Sequence, residues 1–227
     1  MTEFRRIGAG FCGTVWSPPS GQSKYFGYAF KREDGGPGRS LPNESNMHQC
    51  ILKARESTSV HIRIPQFVRF IGPEDTWWND NLKSFPAGYT ACNTIMSEQI
   101  PSVPQVVREQ LIDRYCPADL AAEIKSSEAN QDCLVRPYLG RRRYHTRPSR
   151  FKAFSLRNYP LHLDQMEEIG LDTDLVLYAE IMAEALAMMH WLAGIDANDV
   201  EFVLATTSTS TTTLSGKGSG YHIQLPW

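Results

Sequence analysis

Hydrophobic positions concentrate along residues 4–16 and again along 25–32, two stretches that carry aromatic and β-branched side chains. They flank the turn-rich Ser17-Pro18-Pro19-Ser20-Gly21, so the pattern predicts antiparallel strands joined by a hairpin loop. Asp34-Gly35-Gly36-Pro37-Gly38 reads as loop by composition. The period then lengthens: Glu44, Met47, His48, Ile51 and Leu52 share one face of a helix capped by Asn43 and ending near residue 54. Residues 61–71 and 94–100 return to strand-like patterning. The stretch 72–89 between them, rich in Trp, Asn, Asp, Pro and Gly, reads as a long surface loop.

Helical spacing recurs over residues 104–129, with Val106, Val107, Leu111, Ile112 and Tyr115 in phase until Pro117 breaks the run. A strand is predicted over 133–139. The strongest helix spans 175–191, Ala-rich with Leu177, Ile181, Leu186 and Met189 available for burial, and Ala193-Gly194 ends it. Residues 200–204 suggest a short buried strand. Beyond them the chain turns Thr/Ser/Gly-rich, and 206–227 reads as a disordered tail whose removal after Ala205 should leave melting almost unchanged. The organisation predicted is a first unit over 1–103, a second over 104–205, and that tail.

Composition narrows the partners. The chain has 227 residues, 41% hydrophobic and 21% charged, with a formal net charge of −2. That balance exerts no global pull toward nucleic acid or an anionic membrane. The run Arg141-Arg142-Arg143 with Arg147, Arg150 and Lys152 is locally basic, but it reads as a solvated loop rather than a nucleic-acid site. No apolar run is expected to reach the roughly 20 residues of a membrane span, and no secretory leader is read at the N-terminus. The five cysteines are scattered, without a C-x-x-C pair, so reduced thiols, an intracellular setting (cytoplasmic or nuclear) and no zinc site are expected.

Chemistry concentrates at the start. Residues 8–15 read Gly-Ala-Gly-Phe-Cys-Gly-Thr-Val, a match to the G-x-G-x-x-G-x-V loop that protein kinases fold over ATP phosphates. Phosphates need several converging N–H donors without side-chain bulk, which Gly8, Gly10 and Gly13 supply, while Val15 offers an apolar surface to a base. Any tight hairpin uses glycines too. Here Lys31 follows 18 residues after Gly13 inside an apolar strand, placed to reach phosphate oxygens, and Glu44 on the next helix is its natural partner. The plain readings are a solvated strand lysine and a glutamate favoured by a helix N-terminus.

A second cluster lies at Gly194-Ile195-Asp196-Ala197-Asn198-Asp199-Val200-Glu201, a polar loop between a long helix and a strand. Kinases present a catalytic-base Asp in such a loop, with a metal-binding Asn five residues on. Counting from Asp196 gives Glu201, whose carboxylate could hold Mg²⁺; the alternative is a polar turn. No aspartate follows Asp199, so a D-F-G metal ligand is not found in these residues.

Residues 4–16, Ala29-Phe30-Lys31-Arg32-Glu33, 134–140, 154–166 and 189–204 together resemble a fungal family of kinase-like proteins of unestablished function, some of them named "zinc finger protein". The resemblance covers most of 4–205. It implies an α+β fold: a protein-kinase-like small lobe, an antiparallel sheet plus one helix, followed by a partial helical large lobe. Members of the family look as if they continue past the Glu-Phe-Val-Leu strand into a Leu-Asp-Phe-Asp-like stretch; the Thr/Ser repeats here resemble instead a truncated or differently spliced form. The function expected is a catalytically impaired kinase-like protein, a pseudokinase, holding ATP weakly through Gly8, Gly10, Gly13, Val15, Lys31 and Glu44. Mg²⁺ has only Glu201 to support it. Two alternatives stay open: an active phosphotransferase in a full-length form, with Asp196 as base, and a nonenzymatic module that binds a protein partner.

Overall fold

In a computed structural model, residues 4–10, 13–19, 23–34, 40–143, 153–206 and 221–225 are described. The chain is α+β. Strands β1 (Arg5–Gly10), β2 (Gly13–Ser17), β3 (Tyr28–Arg32), β4 (Phe67–Ile71) and β5 (Thr94–Glu98) form an antiparallel sheet in the order β1-β2-β3-β5-β4. Helix α1 (Leu41–Glu56) lies between β3 and β4 in the chain. Its N-cap is Ser40 rather than the expected Asn43: the Ser40 hydroxyl accepts the Asn43 N–H at 3.4 Å. Pro42 explains the shift, because proline is tolerated in a first helical turn, where its missing N–H has no intrahelical partner to lose.

Side-chain alternation gives the sheet two different faces. Trp16 pairs with Phe30 and Phe30 with Met96, all on the outer face. Phe4, Trp16, Phe30, Ile71 and Met96 there pack with Trp77, Trp78 and Phe85 into a compact core. Phe30 stacks between Phe4 (5.0 Å between centroids) and Trp77 (5.3 Å), and Trp78 meets Trp77 edge-on at 4.9 Å. The segment expected to be a surface loop is therefore a lid. It contains α2 (Trp77–Asn81), and its aromatic rings are buried because the outer face offers apolar surface to cover.

The second body holds α3 (Gln105–Tyr115), α4 (Ala121–Ser126), β6 (Val135–Tyr138), β7 (Tyr159–His162), α5 (Leu163–Glu168), α6 (Leu175–Ala187) and β8 (Val203–Thr206). A four-stranded sheet runs β7-β6-β8-β9, and β9 is Tyr221–Gln224. This corrects the expected tail: although 207–220 lie outside the described residues, β9 pairs antiparallel with β8, and Ile223 and Leu225 are fully buried in the larger core. The predicted strand over 61–71 is also refined. Only Phe67–Ile71 joins the first sheet; the alternating Ile62 and Ile64 face the larger core, while the Arg63 backbone bonds to β9 through its N–H to Ile223 (3.4 Å) and its carbonyl to Leu225 (3.1 Å).

Residues Asp172–Leu192 depart from a further expectation, being 21 residues long and, at a mean hydropathy of 1.4, apolar enough by length and composition to cross a membrane. Tyr178, Ala185, Met188 and Met189 within this stretch belong to the larger core. At its end, Met188–Leu192 forms a π turn, with the Ala193 N–H donating to the Met188 carbonyl at 3.0 Å. Of the basic residues that are described, Arg141 is exposed, Arg142 pairs with Glu167, and Arg143 pairs with Asp164 and Glu168. Arg147, Arg150 and Lys152 lie outside the described residues.

Candidate functional site

The glycine motif is the β1–β2 hairpin itself: Gly10 pairs with Gly13, Ala9 with Thr14, and Gly8 with Val15. Its tip, Phe11 and Cys12, lies outside the described residues. Gly13 has φ +146°, and a Cβ there would meet the Arg32 carbonyl oxygen at 1.8 Å, so only glycine fits under β3. Gly10 is different. A Cβ there would have nothing within 4 Å, so this glycine borders open space.

Val15 pairs with Lys31, and Lys31 with Ile95, which puts all three on the inner face. The Lys31 ammonium forms an ion pair with Glu44, four residues past the N-cap of α1, and both side chains are mostly buried at 20% and 15% exposure. The expected pairing of these two residues is thus present geometrically. Glu44 also sits where the positive end of the helix dipole favours a carboxylate.

One turn further along α1, His48, which the sequence marks only as a residue on the helix face, is buried. Its Nε2 lies 2.8 Å from the Pro65 carbonyl, so Nε2 carries the proton and donates, and Phe67 meets the ring edge-on at 5.7 Å. Burial, opposed by the Pro65 bond and aided by the nearby Lys31 charge, pushes its pKa down from 6.5 to about 4. A depressed folded-state pKa means that the stability contribution is present above 6.5 and is lost as pH falls toward 4. We expect about 1 kcal/mol lost per pH unit through that window from this group. In an NMR titration, His48 should stay neutral well below pH 6; a midpoint near 6.5 would refute the buried placement.

Arg32, next to Lys31 on the outer face, is 1% exposed and carries a second network missed by the sequence reading. Its Nε donates to Asp34 at 3.2 Å and its Nη2 to the Thr90 carbonyl at 2.7 Å. Asp34 also accepts from Thr14 of the hairpin, whose hydroxyl in turn accepts the Trp16 indole N–H at 2.7 Å. Strand alternation alone signalled that residue 32 would face away from residue 31. The Trp77-to-Tyr89 aromatics were the missing clue to what it faces.

Asp196 and Glu201 belong to the second body. Asp196 is exposed, and its carboxylate accepts the Asn198 backbone N–H at 3.1 Å and the side-chain amide at 3.2 Å, an Asx-type turn. Glu201 is ion-paired to Arg136, which also donates to the Tyr138 hydroxyl. No hydrogen bond or ion pair among the described residues joins either carboxylate to the glycine hairpin, Lys31 or Glu44. Among the described residues no group of three or more His, Cys, Asp or Glu is arranged to hold a metal ion. A surface groove of about 830 Å³ lies elsewhere, in the outer lid, bordered by Trp78, Leu82, Phe85 and Tyr89. Its separation from the charged cluster means that volume alone is no guide to the chemistry here.

Comparison of the chain with protein-family models, with curated proteins and with solved structures finds no match in any of the three.

Proposed function

We propose that this chain carries the nucleotide-holding half of a protein-kinase-like fold and binds ATP without transferring its phosphate efficiently. The observation that carries the reading is the Lys31–Glu44 ion pair, set on the same sheet face as Val15 and joined through β2 to a glycine hairpin. A lysine held by a helical carboxylate is aimed without spending the entropy of ordering a free side chain at the moment of binding. Open space at Gly10 leaves room for a phosphate chain, and Val15 supplies apolar surface for a base. On this reading Gly8 and Gly10 would approach the phosphates through backbone and Lys31 would pair with their charge, while Gly13 holds the hairpin beneath β3. ATP would supply the transferable phosphoryl group.

Efficient transfer needs a base and protein carboxylates on Mg²⁺ near those phosphates. Asp196 is engaged in its own turn and Glu201 by Arg136, so neither is organised for that work. Mg²⁺ on this reading arrives with the nucleotide rather than in a protein cluster.

Thermal shift against ATP, with and without Mg²⁺, tests the proposal. A ligand at ten times its Kd stabilises by about 1.4 kcal/mol, a measurable rise in Tm, which Lys31→Met should abolish and Glu44→Gln should reduce. No shift, or one indifferent to Lys31→Met, refutes nucleotide binding. Turnover of labelled ATP that Asp196→Asn abolishes would refute the impaired-transfer half.

A further inference from the structure

Helix α6 turns one side to the larger core and leaves the other uncovered. Tyr178 and Ala185 are buried, whereas Val176 and Leu177 are 69% and 52% exposed, and Trp191 and Leu192 within the π turn are 81% and 58% exposed. Between these apolar ends the exposed side holds Ala179, Glu180, Ala183 and Glu184. Neither glutamate takes part in a hydrogen bond or ion pair among the described residues. Large apolar groups at both ends, small residues in the middle and two unpaired charges one turn apart make an exposed acidic helix face about four turns long.

We propose that this face docks a basic amphipathic helix of a partner protein. Apolar side chains of the partner would seat against Ala179 and Ala183 and under Trp191, removing apolar surface from water. Lysines or arginines flanking them would pair with Glu180 and Glu184. The same charges select against other occupants. A second copy meeting this face across a two-fold axis near the helix midpoint would bring Glu180 and Glu184 beside their own counterparts, a like-charge clash. An anionic lipid surface would repel the same two carboxylates.

The test titrates the full chain calorimetrically with a synthetic Leu/Lys amphipathic helix of about 20 residues, and with its Leu/Glu counterpart. The Lys peptide should bind and the Glu peptide should not. Glu180→Lys combined with Glu184→Lys should weaken the first by at least about tenfold and create binding to the second. Trp191→Ala should weaken the Lys peptide by about tenfold or more. All substituted positions are exposed, and circular dichroism checks that the variants keep their fold. Absence of Lys-peptide binding, equal binding of both peptides, or indifference to the charge reversal overturns the proposal. So does dimerisation in sedimentation that Trp191→Ala abolishes, or binding to phosphatidylglycerol vesicles without binding to the peptide.

Discussion

Ending the chain after Ala205 is expected to cost on the order of 5 kcal/mol or more, enough to unfold much of the second body at ambient temperature. The deletion removes β9, and with it Ile223 and Leu225, both fully buried in the larger core. Truncating one buried Ile or Leu to Ala typically costs about 2–5 kcal/mol through lost transfer energy and the cavity left behind. Removing the strand also exposes the β8 backbone edge and strips Arg63 of its two bonds to Ile223 and Leu225. Arg63 leads directly into β4, and its side chain pairs with Glu98 at the end of β5, so the damage reaches the first sheet as well. Urea or thermal melts of the shortened chain measure the loss. Ile223→Ala and Leu225→Ala, each expected to cost about 2–5 kcal/mol, cover the case in which the deletion fails to fold. A shortened chain that melts with the full one would show that β9 does not pack.

Arg32→Ala should cost about 3–5 kcal/mol, whereas Arg32→Met should recover at least half of that loss. The guanidinium carbon lies 4.5 Å from the Phe85 ring centroid, 5.0 Å from Tyr89 and 5.1 Å from Trp78, so three aromatic rings and Asp34 surround a cation almost wholly removed from water. A desolvated cation on an aromatic face is worth about 2 kcal/mol. Its stem fills volume besides. Alanine forfeits both and leaves the Thr90 carbonyl without its donor. Methionine keeps the volume and sulfur–aromatic contacts while removing a charge that is expensive to bury, and the Arg32 Nη1 makes no hydrogen bond among the described residues. Denaturant melts of both variants give the comparison. A loss below about 1 kcal/mol for alanine, or equal losses for the two, would mean that neither the cation nor its stem supports the outer core.

Much of the local structure was legible because it depends on near neighbours. The aromatic run through Tyr28 and Phe30 placed a strand, helical spacing over Glu44 to Leu52 placed α1, and the Ala-rich run placed α6. Lys31 and Glu44 could be paired on paper because a strand followed by a helix brings few residues within reach. The errors have another character. Asn43 was preferred as a cap because side-chain type was weighed without the proline beside it. The Trp-rich segment was read as surface because loops usually are, yet Trp77, Trp78 and Phe85 found an apolar sheet face to cover. Spacing points to Asp196 and Glu201 but says nothing of Arg136, the ion-pair partner that lies 65 residues from Glu201 in the chain.

By itself, then, the amino-acid order determined the α+β character of this protein, the positions of most strands and helices, and the glycine hairpin followed by Lys31 and Glu44. These follow from backbone conformation and side-chain period, which act over a few residues. Only the tertiary structure decided which sheet face Lys31 shares with Val15, that Arg32 is caged, that Gly13 must stay bare beneath the Arg32 carbonyl, and that Tyr221–Gln224 is a core strand. Each of those facts depends on surfaces contributed by distant parts of the chain. A polar, Thr/Ser-rich approach to residue 221 gives no local hint that the buried edge of β8 is waiting to be paired.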